Sequence, residues 1–135
     1  MKPLEAVSKV VKSGNTDQRI FAYWSDLRNI QRMIPPEADA EINATADTCT
    51  VTAKGQTFVV RLLEKEEYKL IKLGTEEGTK MGFTAWIQLK SLSEYETAGR
   101  ITIHVDVPLL MRPMLKGKLG ESINRLADAL KMIPY

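Results

Sequence analysis

Residues 100–113, RITIHVDVPLLMRP, change character midway and decide what the rest of the chain must do. Up to Val107 the residues alternate. Ile101, Ile103, Val105 and Val107 fall on one side of an extended chain, and Thr102, His104 and Asp106 on the other. Pro108 ends the strand, and Pro113 suits the first turn of a helix, where its missing N–H costs no hydrogen bond. Met114, Leu115, Leu119, Ile123, Leu126 and Leu130 then step by three and four, an amphipathic stripe. A strand with one oily side thus leads into a long helix with one oily side, and each needs the other covered. The chain's one histidine, His104, is expected on the wet side, with Asp106 as its surface partner.

Working upstream, the alternation repeats. Phe83, Ala85, Ile87 and Leu89 oppose Thr84, Trp86, Gln88 and Lys90; Cys49, Val51 and Ala53 oppose a run of threonines. The division is weaker where Phe58, Val60 and Leu62 oppose Val59, Arg61 and Leu63, and Ile71 and Leu73 oppose Leu70 and Lys72. Period-two segments near 39–45, 48–54, 56–65, 68–76, 81–92 and 98–107 predict six strands, with Lys54-Gly55 as a tight hairpin turn. Ahead of them, β-branched residues 5–12 predict a first strand closed by Ser13-Gly14-Asn15. Thr16 and Asp17 form a helix start, a hydroxyl for the orphan amides and a carboxylate beside the positive end. Ile20, Phe21, Trp24 and Leu27 follow at helical spacing. A second short helix over 27–33 carries Ile30, Met33 and Ile34 and stops before Pro35-Pro36.

The order is strand, two helices, six strands, long helix. Short turns between neighbouring strands predict an antiparallel sheet, and only the last helix is long enough to cover its apolar face. In the final helix Gly117 and Gly120 mark either a close approach to something or a looser first half.

Composition narrows the function classes. The 135 residues predict one domain over 1–135, and 44% hydrophobic content is ordinary for a globular chain. Nineteen basic against seventeen acidic residues leave +2, with the charges interspersed, so no nucleic-acid partner is expected. One cysteine excludes an internal disulfide and a multi-cysteine zinc site. No stretch has the roughly 20 apolar residues of a membrane span or the core of a signal peptide. A cytoplasmic protein without metal or cofactor is the expectation.

Motifs that carry chemistry are sparse. KGKLGES (116–122) lacks the lysine-hydroxyl ending of a phosphate loop. Glu64, Glu66 and Glu67 read as a solvated hairpin end. Five basic against two acidic residues between 112 and 131 leave the last helix at +3. No paired carboxylates or nucleophile–base pair are visible, so no catalytic residue is expected.

TDQRIFAYWSDLRNIQRMIPPE (16–37) and DVPLLMRPMLKGKLGESINRLADALK (106–131) nevertheless resemble the opening and closing segments of the START and Bet v 1-like superfamily. The first is a capped helix, an aromatic, a Ser-Asp pair and a second helix ending at proline; the resemblance extends over the full chain. It implies the α+β helix-grip fold, a curved antiparallel sheet of about seven strands wrapped around the long C-terminal helix. It also implies a pocket between them. Trp24 and Met33 would line it from the helix pair, and Val51, Phe58, Val60, Phe83, Ala85, Ile87, Ile103 and Val105 from the sheet. Met111, Met114, Leu115 and Leu119 would contribute from the final helix. The superfamily's scaffold carries several functions, so three remain open: binding of a small hydrophobic or amphipathic molecule (lipid, isoprenoid or polyketide-like) without catalysis, a co-chaperone-like protein-interaction module, or a cyclase- or dehydratase-like enzyme using Cys49 or a loop residue.

Overall fold

A computed structural model describes residues 3–29, 41–53, 55–76, 82–133 and 135. Among the described residues, eight strands form one antiparallel sheet: β1 (Leu4–Val7), β2 (Val11–Ser13), β3 (Glu41–Ala44), β4 (Thr48–Ala53), β5 (Gln56–Glu66), β6 (Leu70–Thr75), β7 (Phe83–Ser93) and β8 (Glu96–Val105). Helix α1 (Asp17–Trp24) follows β2, and α2 (Arg112–Met132) closes the chain. The spatial order is β1-β8-β7-β6-β5-β4-β3, with β2 continuing β1 along β8.

The predicted strand over 5–12 is two strands, which makes eight rather than seven. Val7 pairs with Thr102 and Val11 with Gly99, so three residues on one side face two on the other. Ser8 fills the resulting bulge: its N–H donates to Ile101 O, and its Oγ accepts from Ile101 N, both at 2.8 Å. A sheet edge bent here meets α2, where Lys9 N–H donates to Asn124 Oδ1 at 2.9 Å and Lys9 Nζ pairs with Asp128.

Thr16 caps α1 as expected, its Oγ1 accepting from Arg19 N–H at 3.2 Å, and the helix buries Ile20 and Trp24. Residues 27–29 are again helical; Ile30, Met33, Ile34 and Pro35-Pro36 lie outside the described residues. Ala53 pairs with Gln56, so two residues close the β4–β5 hairpin, and Gly55 takes φ +77° there; Lys54 is outside the description.

Pro113 opens α2. The buried side of α2 is its second half, Ile123, Ala127 and Leu130. Leu130 rests on β8 at Gly99, where an added Cβ would stand 2.7 Å from Leu130 Cδ2. Among the described residues nothing lies within 4 Å of a Cβ added at Gly117 or Gly120, which fits the looser first half. Correspondingly, Met114 is 72% exposed, outside the buried stripe expected of it.

His104 does face away from the helices, but its partner is Glu5. Register sets Glu5 opposite His104 across β1 and β8, and Nε2 lies 2.6 Å from Oε2. Asp106 is beyond the end of β8, where its N–H donates to Gly82 O. Strand pairing across the sheet overrode proximity along the chain. Trp86 packs edge-on against the same imidazole, with Lys72 Nζ 5.7 Å from its ring centre.

Candidate ligand cavity

The alternation that puts apolar side chains on one face also stacks them in rows across the sheet. Cys49 pairs with Val60, and Val51 with Phe58. Leu73 pairs with Ala85, Ala85 with Ile103, and Ile87 with Ile101. These rows line a partly open cavity of about 340 Å³ together with Phe83, with Trp24 and Leu27 from the α1 region and Ile123 and Leu126 from α2.

Every described lining residue is apolar apart from a thiol and an indole. The indole N–H is already engaged: Trp24 Nε1 donates to Tyr135 Oη at 2.7 Å, and Tyr135 Oη donates onward to Leu130 O at 2.6 Å. Tyr23 meets the Tyr135 ring edge-to-face at 5.5 Å. Burial pushes the Tyr135 phenol up to about 12, which keeps it a neutral donor. Burial likewise pushes the Cys49 thiol up, disfavouring the thiolate that a nucleophile or metal ligand needs. Such a wall can exclude water and receive apolar surface. Among the described residues, no three His, Cys, Asp or Glu side chains gather as a metal site.

Eight of the residues expected at the pocket line this cavity: Trp24, Val51, Phe58, Val60, Phe83, Ala85, Ile87 and Ile103. Val105, Leu115 and Leu119 instead border a separate recess with Leu4 and Val107, at the far end of β8. Met111 sits half-buried in the 3-10 turn Leu109–Met111, Met114 is exposed, and Met33 lies outside the described residues. Leu27, Cys49, Leu73, Ile101, Ile123 and Leu126 complete the wall without having been expected there. The alternation had already put Cys49, Leu73 and Ile101 on the inward face. Ile123 and Leu126 replace the methionines because α2 meets the cavity with its second half.

No protein-family model matches the chain, and no curated protein matches it in sequence. Solved structures do. A START superfamily protein from Mycobacterium smegmatis superposes with a TM-score of 0.71 at 19% identity, covering 94% of each chain. Norcoclaurine synthase from Thalictrum flavum, a point mutant in complex with a transition-state analogue, gives 0.68 at 13% identity, covering 97% of this chain and 94% of that one. The di-domain ARO/CYC protein BexL gives 0.69 at 14% identity over 95% of this chain and 45% of its own. Strand order, the long helix packed on the β1, β2 and β8 end of the sheet and these superpositions agree: the chain has the helix-grip fold, the fold seen in START and Bet v 1-like proteins.

Proposed function

We propose that this chain is a single-domain cytoplasmic binder of a small hydrophobic or amphipathic molecule, of lipid, isoprenoid or polyketide-like character, held between the sheet and α2 without chemical conversion. The observation that carries the reading is the 340 Å³ cavity and its apolar wall. Fully closed and dry, such a volume would forfeit about 8 kcal/mol at ~24 cal/mol per Å³, an upper bound for a pocket partly open to solvent. A domain of this size has only about 5–15 kcal/mol of net stability to lose. A ligand restores those contacts, and each Å² of its apolar surface removed from water contributes roughly 25 cal/mol. With Trp24 Nε1 committed to Tyr135, the described wall supplies shape rather than hydrogen bonds, so selectivity follows ligand size. Any polar head must remain at the mouth.

Trp24 lines the cavity and Trp86 lies on the opposite face of the sheet, so a Trp86→Phe background turns Trp24 into a local fluorescent reporter. Saturable change of its emission on adding apolar compounds, together with a co-purifying apolar molecule in native mass spectrometry, is the expected result. Emission indifferent to every apolar compound, from protein extracted free of any ligand, would overturn the reading.

A further inference from the structure

At the junction of β8 and α2 the structure exposes three large apolar side chains within six residues: Leu109 at 65%, Leu110 at 92% and Met114 at 72%. They are not on a loose end. Val107 anchors the stretch in the interior, Met111 N–H donates to Pro108 O at 3.0 Å, and Pro113 opens the helix. An ordered turn thus holds oily groups out in water, an arrangement that folding itself disfavours and that marks an interaction surface. Between Asp106 and Glu121 the chain carries Arg112, Lys116 and Lys118 and no acidic residue, and both lysines are exposed. Arg112 braces the turn, its Nε donating to Val107 O at 3.4 Å.

We propose that this turn, Leu109 to Met114, is a docking tip for an anionic phospholipid surface. Leu109, Leu110 and Met114 would enter the boundary between headgroups and acyl chains while Lys116 and Lys118 face the negative headgroups. Apolar insertion and lysine attraction each fall short alone, and the pairing is what peripheral membrane binding requires. Charge complementarity favours a lipid surface over a protein groove, since every charged residue between Asp106 and Glu121 is basic. The inference stands apart from the cavity, because none of these residues lines it.

Co-sedimentation of the full chain with phosphatidylcholine vesicles, and with vesicles of phosphatidylcholine and phosphatidylserine, tests the proposal. Binding is expected to the mixed vesicles, weak on phosphatidylcholine alone, and reduced by salt. Leu110→Asp should lower partitioning at least roughly tenfold with the melting temperature and Trp24 response to ligand unchanged. Lys116→Gln should cost roughly five-fold on anionic vesicles only. No binding to phosphatidylserine vesicles at low salt, or binding that Leu110→Asp leaves intact, would overturn it. Self-association or capture of a protein that Leu110→Asp abolishes, with no vesicle binding, would overturn it too.

Discussion

Trp24 hands its indole hydrogen to Tyr135, 111 residues away in the chain, and the same tyrosine oxygen donates to the carbonyl of Leu130. One hydroxyl therefore joins α1, the segment after α2, and the end of α2 itself. It also sets the plane of the tryptophan that walls the cavity. Tyr135→Phe would leave a buried N–H and a carbonyl short of a partner, at a cost of about 1–3 kcal/mol. Urea denaturation should show a lower midpoint with an unchanged slope.

Burial of the same hydroxyl has a pH signature. Burial raises the Tyr135 phenol from 10.0 to about 12, so the unfolded chain loses that proton first as pH rises. The stabilisation is therefore complete below pH 10.0 and disappears as pH climbs toward about 12. The difference in stability between the native chain and Tyr135→Phe should be flat up to about pH 10 and shrink above it. Taking the difference cancels lysine titration common to both. A gap that widens with alkali would contradict the assignment.

Leu130 and Gly99 show why α2 lies where it does. A methyl group at Gly99 would come within 2.7 Å of Leu130 Cδ2 and 3.1 Å of Cδ1, and Leu130 is fully buried with no slack. Gly99→Ala should destabilise by about 1–3 kcal/mol through overpacking. Leu130→Val, destabilising alone, should cost less when combined with Gly99→Ala. A double-mutant cycle by chemical denaturation measures that coupling, and strict additivity would contradict the contact.

The fold was legible because its signals are local and mutually consistent: alternation in 101–107 and 83–90, the Thr16-Asp17 cap, and the proline at the head of α2. The sheet half of the cavity was legible for the same reason, since a side chain's face follows from its position in a strand. The helix half was not. Periodicity showed which side of α2 is apolar, but not how far along the sheet the helix slides. That translation depends on Gly99 receiving Leu130 and on the Ser8 bulge bringing Lys9 to Asp128. Neither long-range contact has a sequence signature, so Met111, Met114, Leu115 and Leu119 were expected where Ile123 and Leu126 stand. Glu5 as the partner of His104 escaped for a related reason: register between the first and last strands links residues 99 apart in the chain.

Cys49 reports on the cavity from inside. Its thiol is buried and its pKa raised by that burial, so little thiolate exists near neutrality. A polar aromatic disulfide reagent should label it far more slowly than it labels the unfolded chain. An apolar ligand in the cavity should slow labelling further in proportion to occupancy. Labelling at the rate of an exposed cysteine, unaffected by ligand, would place the thiol outside the wall.

Ala85 separates a cavity from a solid core by the sign of one mutation. It lies on β7 between Leu73 and Ile103, is buried, and lines the hollow. Leucine there adds three carbons. In a filled interior they would force neighbours aside and cost about 1–3 kcal/mol. In the 340 Å³ space they fall into volume that no side chain occupies, and their burial contributes up to about 2 kcal/mol. Ala85→Leu is therefore expected to raise the denaturation midpoint of ligand-free protein while weakening the Trp24-monitored ligand at least roughly tenfold. Stability and binding moving in opposite directions is the outcome that packing alone does not produce, and a destabilised variant that binds as before would contradict the cavity assignment.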